Sequence, residues 1–171
     1  MSLTTDQTAP PRLCIAGHFG ELLQGRVEGR LALVSLPCPV LAVRSGGQGT
    51  PGLIGPRRVQ ALCRTLGLPV PAALPALSAD MPLGGGAGSS TAALVAVARV
   101  LGWEGAPEDL ARACVLAEGA SDPLMFPAPE RLLFAPREGE VLRALPPLPR
   151  FEVVGGFLGE GARTLAEDQD F

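Results

Sequence analysis

Hydrophobic residues fall into short runs along the N-terminal part of the chain, and glycines and prolines separate these runs. Aliphatic and β-branched residues predict strands over 13–16, 31–36 and 40–43. The Pro-Cys-Pro step at 37–39 predicts a bulge or a sheet edge between the last two of these. Glycines occur at 17, 20 and 25, so the segment 17–25 is predicted to be a turn-rich loop and not a continuation of the first strand.

Three segments carry the periodicity and end signals of helices. A proline at position 56 begins a helix that runs to about 66, where Gly67 closes it in the C′ position. The segment 90–101 consists almost entirely of alanine, valine and leucine, and a helix that is apolar all round is buried. A third helix over 107–118 begins with proline and two acidic residues, which suit the positive end of the helix dipole.

The C-terminal part of the chain returns to strand patterns. Prolines at 69, 71 and 75 make 70–77 ambiguous, although the stretch that ends at Asp80 is consistent with a strand. A turn at 136–139 predicts a hairpin between the first two of three later strands, which are expected at 131–135, 140–145 and 151–154.

Strands on both sides of two or three helices predict an α+β fold, with a mixed sheet that the helices cover on one face. The length of 171 residues agrees with one domain. We expect residues 1–11 to form a flexible leader, 12–156 to form the domain and 157–171 to form a loose tail.

Composition narrows the classes of function. The chain is 47% hydrophobic and 18% charged, which is enough apolar material for a core, and its net charge of −3 argues against a nucleic-acid partner. No signal-peptide pattern and no membrane-length apolar run is present, so a cytoplasmic protein without a membrane partner is expected. The four cysteines have no metal-ligand spacing and are expected to be buried thiols in a reducing compartment.

The richest local signal is the run from Pro82 through Gly84, Gly85, Gly86 and Gly88 to Ser89 and Ser90, directly before the buried helix. Glycine lets backbone amides approach a ligand, and serine is a preferred helix N-cap. Amides that converge at a helix N-terminus, where the dipole is positive, form a phosphate site. The alternative is a tight turn that only allows the helix to pack.

The absence of lysine from the sequence limits the types of phosphate site that the loop can form. All 14 basic residues are arginine, so the chain contains no lysine. A Walker A loop needs Gly-Lys-Ser/Thr and a protein kinase needs its strand lysine, and both classes are therefore excluded. A dinucleotide-binding fold would need alternating parallel βαβ units, and the N-terminal strands follow one another without helices.

The run from Pro82 to Ala93 resembles the ATP-binding motif of the GHMP kinases, a family that includes galactokinase, homoserine kinase and mevalonate kinase. The opening Gly20-Glu21-Leu22-Leu23-Gln24-Gly25 is similar to that of the L-threonine kinase branch, which is linked to propanediol utilization and cobalamin biosynthesis. The segment 121–127 resembles that branch around a Thr/Ser-Asp pair, and 151–156 falls where the branch has a strand and a double glycine. The resemblance covers 12–156, which corresponds to the N-terminal half of the family.

The resemblance implies a fold shared with the second domain of a small-subunit ribosomal protein, and a site that uses ATP and Mg²⁺. Residues Pro82, Gly84, Gly85, Gly86, Gly88, Ser89 and Ser90 would hold the triphosphate. Ser90 and Glu118 would bind the magnesium ion, and Asp122 would orient or deprotonate the attacking hydroxyl. Glu21 and Gln24 would line the pocket of a small-molecule acceptor such as L-threonine.

Two expectations about function remain open at this point. The chain is a small-molecule kinase or its N-terminal domain, or it is an inactive kinase-like module that binds a nucleotide or a partner. The family's C-terminal half, which closes the cleft, is not expected here, so a homodimer or a companion chain would complete the cleft. His18 is interpreted as a loop side chain, and Arg57 and Arg58 as a solvated helix start that could reach a phosphate.

Overall fold

A computed structural model of the chain describes residues 12–158. This part of the chain is an α+β unit with three α-helices and a five-stranded sheet. The helices are α1 (Pro56–Leu66), α2 (Ser89–Val100) and α3 (Pro107–Glu118). The strands are β1 (Cys14–Val27), β2 (Arg30–Ser45), β3 (Leu77–Ala79), β4 (Leu132–Ala135) and β5 (Glu140–Ala144).

The sheet is antiparallel at every pairing in the described residues, so the expectation of a mixed sheet was wrong. Its order is β1-β2-β4-β5, and β3 pairs with the end of β2. A two-residue turn at Glu28 and Gly29 joins β1 to β2, and both turn residues have positive φ, at 51° and 80°. This is the backbone geometry that lets a tight hairpin follow the twist of its strands, and a hairpin makes neighbouring strands antiparallel.

Strand β1 runs through the segment that was predicted to be a loop, and this is a second correction. The strand keeps its pairing with β2 by shifting register between Ala16 and Gly17 and again on either side of Glu21. Gly20 takes a positive φ of 76° at one of these irregularities. The glycines therefore permit bulges within a strand and do not end it.

Strand β2 also passes through its two prolines without ending. Pairing jumps from Cys38 to Ala42, so the residues 39–41 bulge out of the ladder, as the Pro-Cys-Pro step predicted. Proline has no N–H to donate, and a bulge is one of the few places in a sheet where it is tolerated.

Helix α2 forms the centre of the core, and its predicted burial is confirmed. It packs against β1 and β2 and also against α1 and α3, so nearly all of its residues are buried. The predicted bounds of α1 and α3 are confirmed, and Gly67 takes the left-handed conformation at the end of α1. The sequence predicted a serine as the N-cap of α2, and this was wrong: the N-cap is Gly88.

The hairpin of β4 and β5 is confirmed, but 151–154 forms neither a helix nor a strand. Three of the four residues before Arg150 are prolines, which cannot donate to a sheet ladder. The leader at 1–11 and most of the predicted tail, at 159–171, lie outside the described residues.

The cysteines divide into two pairs. Cys63 and Cys114 are buried as expected, whereas Cys14 is exposed and Cys38 is half-buried. Burial raises the pKa of the Cys63 and Cys114 thiols, so both remain protonated and unreactive. In the described part of the chain, none of the helices has the length and apolar character needed to cross a bilayer.

Candidate functional site

The glycine-rich loop lies directly before α2. Its first turn closes with a hydrogen bond from the Gly85 N–H to the Pro82 carbonyl (3.2 Å), and Gly84, Gly86 and Gly88 all have φ near +70°. Among the residues that the structure describes, no side chain caps the first turn of α2. The first-turn amides can therefore donate to the oxygens of a ligand, at the end of the helix where the dipole is positive.

The loop is fixed against β1 by close backbone contacts. The His18 N–H donates to the Ala87 carbonyl at 3.1 Å. A Cβ at Gly88 would lie 2.7 Å from Cδ2 of His18 and 2.8 Å from Leu124, which is closer than real Cβ atoms approach. Glycine at this position is needed both for its φ of 71° and for the space.

Arg58, Ser90 and Glu118 form one cluster, which we call the arginine cluster. The Arg58 guanidinium donates to Ser90 Oγ at 2.5 Å and to Glu118 Oε2 at 3.2 Å, and Ser90 Oγ–H donates to the same Glu118 oxygen. Arg58 also donates to the Leu53 carbonyl at 3.1 Å. The two charged side chains are only 18% and 13% exposed, so the cluster is mostly dry.

The cluster joins the ends of three helices. Arg58 lies in the first turn of α1 and Glu118 is the last residue of α3, and each charge has the sign that its own helix dipole disfavours. The two charges compensate each other, and the Glu118 carboxylate faces the positive end of α2 at Ser90. Burial raises the pKa of Glu118, against the effect of the hydrogen bonds from Ser90 and Arg58.

His18, Glu21 and Asp122 form a second cluster, which we call the histidine cluster. His18 is 3% exposed, and its Nε2 lies 3.5 Å from Asp122 Oδ2, while its Nδ1 lies 3.7 Å from Glu21 Oε1. The Gly20 N–H donates to Nδ1 at 3.2 Å, so the neutral ring carries its proton on Nε2, which faces Asp122. The Asp122 N–H in turn donates to the hydroxyl of Thr91 on α2.

The histidine cluster holds protons more tightly than its isolated groups would. Burial lowers the pKa of His18, but the neighbouring Asp122 and Glu21 carboxylates outweigh burial and raise it above its ordinary value. Burial also raises the pKa of Glu21. Ligand atoms of the three residues lie within 4.8 Å of one another. The two ring nitrogens face different carboxylates, so each carboxylate can share a proton with the ring, and a metal ion would have to bind through one nitrogen and the two carboxylates.

The end of the described chain lies on the glycine-rich loop. A Cβ at Gly85 would lie 3.0 Å from the Phe157 ring, and a Cβ at Gly155 would overlap the ring of Phe19. Phe157 is 39% exposed, so it covers part of the loop without being buried itself. A ligand on this face of the loop would have to share it with Phe157 or displace the ring.

Most of the site residues expected from sequence are brought together by the fold. The glycines, Ser89 and Ser90 lie at the start of α2, Glu118 contacts Ser90, and Asp122 and Glu21 flank His18. Gln24 does not join them, because it lies exposed further along β1, opposite Leu33.

Two residues were underestimated from sequence. Arg58 was expected to be a solvated residue at the start of a helix, but its side chain is mostly buried. The sequence did contain a sign of this burial, because Arg58 lies four residues before the buried Leu62 and therefore on the same face of α1. Arg57, by contrast, is exposed as expected. His18 is a buried strand residue and not a loop side chain, and no local pattern indicated this, because the strand there is bulged.

Comparisons of the chain with profiles of protein families, with curated proteins and with solved structures found no match.

Proposed function

We propose that the chain is an ATP- and Mg²⁺-dependent small-molecule kinase of the GHMP type, or the nucleotide-binding half of one. The observation that carries this proposal is the contact between Ser90 and Glu118, which are 28 residues apart in sequence and meet at the N-terminus of α2. The resemblance of the sequence assigns these two residues to one magnesium site. The α+β fold, with a glycine-rich loop before a buried helix, supports the same family and its N-terminal fold.

The glycine-rich loop would bind the triphosphate of ATP through the amides at the start of α2. Charge-assisted hydrogen bonds contribute about 1.5–3 kcal/mol each, and association costs roughly 4–15 kcal/mol. Three amides alone would therefore leave little net affinity. Additional positive charge is needed, and in the absence of lysine it must come from arginine or from a bound cation.

The oxygens of Ser90 and Glu118 fit a magnesium ion, which prefers oxygen ligands and is bound in proteins by one or two carboxylates together with substrate phosphates. When bound, the ion would neutralise charge that develops on the phosphates. Glu118 is mostly buried and Ser90 is already in contact with it, so the two ligands are held in place before any nucleotide arrives.

The histidine cluster would bind the small-molecule acceptor and take the proton from its hydroxyl. In the proposed reaction the acceptor oxygen forms a bond to the γ-phosphorus, the bridging bond to ADP breaks, and the hydroxyl proton passes to Asp122. Asp122 and Glu21 are both partly exposed, at 23% and 24%, so a small molecule can reach them. We propose L-threonine or a similar small hydroxyl compound as the acceptor, from the resemblance of the Gly20–Gly25 segment.

An inactive module that binds a nucleotide or a partner is the second candidate. Two observations favour it: Phe157 lies against Gly85, and the Arg58 guanidinium already bonds to the proposed magnesium ligands. Both contacts would have to change for catalysis. For the kinase, by contrast, a second copy of the chain or a companion chain would complete the cleft, because phosphoryl transfer needs a closed, dry site.

Isothermal titration with ATP and Mg²⁺, followed by an assay of threonine-dependent ADP release, tests the proposal. Ser90→Ala should weaken ATP binding by roughly tenfold or more, because the Ser90 hydroxyl would no longer bind the charged triphosphate and its magnesium ion. Asp122→Asn should bind ATP as the wild type does but release ADP about 10²–10⁴-fold more slowly, which is the usual contribution of a general base. Matched controls are Ser78→Ala on β3 and Asp109→Asn on the exposed side of α3.

The outcomes separate the two candidates. Absence of heat with the wild type would contradict the kinase and the nucleotide-binding module, and would leave only a module that binds a partner. ATP binding without ADP release in the presence of any small hydroxyl compound would favour the inactive module. A Ser90→Ala variant that binds ATP as tightly as the wild type would show that the phosphates lie elsewhere.

A further inference from the structure

The arginine cluster is electrically complete without any ligand. Glu118 is 13% exposed and carries a carboxylate in a mostly dry site, where an unpaired charge would be strongly destabilising. Arg58 supplies the matching positive charge through direct contacts with Ser90 and Glu118. The guanidinium is held from its other side by the Leu53 carbonyl, so its position is fixed by three acceptors.

The same oxygens are the ones a divalent cation would use. A guanidinium only donates hydrogen bonds, so it needs lone pairs on Ser90 Oγ and on Glu118. A metal ion needs those lone pairs as well, and it would bring two further positive charges next to the guanidinium. The two cations therefore exclude each other at these atoms.

We propose that Arg58 is the resident counter-ion of the Ser90–Glu118 site, and that a divalent cation binds there only when the guanidinium leaves. This inference rests on the proposed function, because it concerns the pair of residues assigned to magnesium. The phosphates of a bound nucleotide would offer the displaced guanidinium a new anion close to the start of α2, so displacement and nucleotide binding would favour each other. A nucleotide-free chain would then resist metal binding at this site.

The proposal is tested with metal alone, so that kinase activity is not needed. Thermal unfolding is followed through the fluorescence of Trp103, the single tryptophan of the chain, in EDTA and in increasing MnCl₂. Arg58→Gln removes the charge but keeps a polar side chain, and Arg57→Gln is the control, because Arg57 precedes it on the same helix and is exposed.

We expect Arg58→Gln to unfold at a lower temperature than the wild type in EDTA and to recover in millimolar Mn²⁺. Its apparent Mn²⁺ affinity should exceed that of the wild type by roughly tenfold or more, since ligand binding to the native state raises stability by mass action. Arg57→Gln should behave as the wild type does. In Arg58→Gln/Glu118→Gln the response to Mn²⁺ should disappear, because the carboxylate that binds the ion is gone.

Equal responses of the wild type and Arg58→Gln to Mn²⁺ would overturn the proposal, as would a response that survives in the double variant. If Arg58→Gln fails to fold in EDTA, it is folded in millimolar MnCl₂ beside the wild type, and the Mn²⁺ that each retains after gel filtration is measured by electron paramagnetic resonance. An increase in bound Mn²⁺ over the wild type supports the proposal and no increase contradicts it. Failure of the wild type to bind ATP would contradict the proposed function alone.

Discussion

The arginine and histidine clusters flank the same helix terminus but differ in how their charges are balanced. In the arginine cluster one cation and one carboxylate meet through short, direct hydrogen bonds. In the histidine cluster two carboxylates face one imidazole at 3.5 and 3.7 Å. In the nucleotide-free chain the first cluster is neutral and its groups are fully paired, whereas the second has spare negative charge and binds protons. The difference teaches that the N-terminus of α2 has one neighbour that can bind a cation only when Arg58 is displaced, and another that can exchange with a ligand or solvent directly.

The largest effect is expected from breaking the arginine cluster. Arg58→Ala should lower the free energy of unfolding by about 3 kcal/mol, at the lower end of the range for removing one partner of a buried ion pair. Chemical denaturation monitored by circular dichroism measures it. Arg57→Ala, with an exposed side chain, should change stability by less than about 0.5 kcal/mol. Equal losses in the two variants would show that the cluster adds no stability.

The second effect concerns Gly88, the N-cap of α2, which contacts His18 and lies two residues before Ser90. Gly88→Ala should cost about 2–3 kcal/mol, because strain at positive φ adds to overlap with His18 and Leu124. Gly86→Ala is the matched control: its φ is 70°, against 71° at Gly88, but no atom of residues 12–158 outside its chain neighbours lies within 4 Å of the added Cβ. It should cost only about 1 kcal/mol from backbone strain. The difference between the two variants in urea unfolding isolates the overlap with His18 and Leu124.

The third prediction uses pH to separate the clusters. The pKa values of Glu21, Glu118 and His18 are all raised, so the folded chain holds protons more tightly than the unfolded chain. The three groups stabilise the folded chain fully at pH values below their pKa values in the unfolded chain. This stabilisation is lost as the pH rises through their higher pKa values in the folded chain. The free energy of unfolding should therefore fall from about pH 5 to pH 8, by about 1.4 kcal/mol for each tenfold change in proton affinity.

Three variants assign this slope to its sources. Glu118→Gln and Glu21→Gln should each remove a share of the part that begins near the carboxyl range, and His18→Gln should remove the part above the ordinary histidine pKa of 6.5. A slope unchanged in all three variants would mean that other groups cause it.

The smallest effect should appear in the pKa of His18 itself, which NMR can follow without assignment because the chain has one histidine. Asp122→Asn should lower this pKa most and Glu21→Gln should lower it less, in the order of their contributions. Gln24→Ala should leave it unchanged, since Gln24 lies exposed further along β1. A shift in Gln24→Ala as large as that in Glu21→Gln would place Gln24 in the cluster after all.

Local patterns were sufficient for several elements of the fold. The bounds of α1 and α3, the burial of α2 and the hairpin of β4 and β5 follow from periodicity, end signals and turn residues that lie next to each other in sequence. The continuous β1 was missed, because glycines that usually end a strand serve there as bulges. Whether such a glycine ends or bends a strand depends on the partner strand, which the local sequence does not contain.

The sequence by itself determined the α+β class, the buried helix and the glycine-rich loop before it, because these features arise from interactions within one or two turns of the chain. Only the tertiary structure decided that Arg58 meets Ser90 and Glu118, and that His18 lies beside Asp122. These contacts join residues 28 to 104 positions apart, and the packing of α1 and α3 on α2 and of α2 on the sheet sets their distances. The physical reason is that a charge acquires its partner and its pKa from the residues that surround it in space, whichever part of the chain they come from.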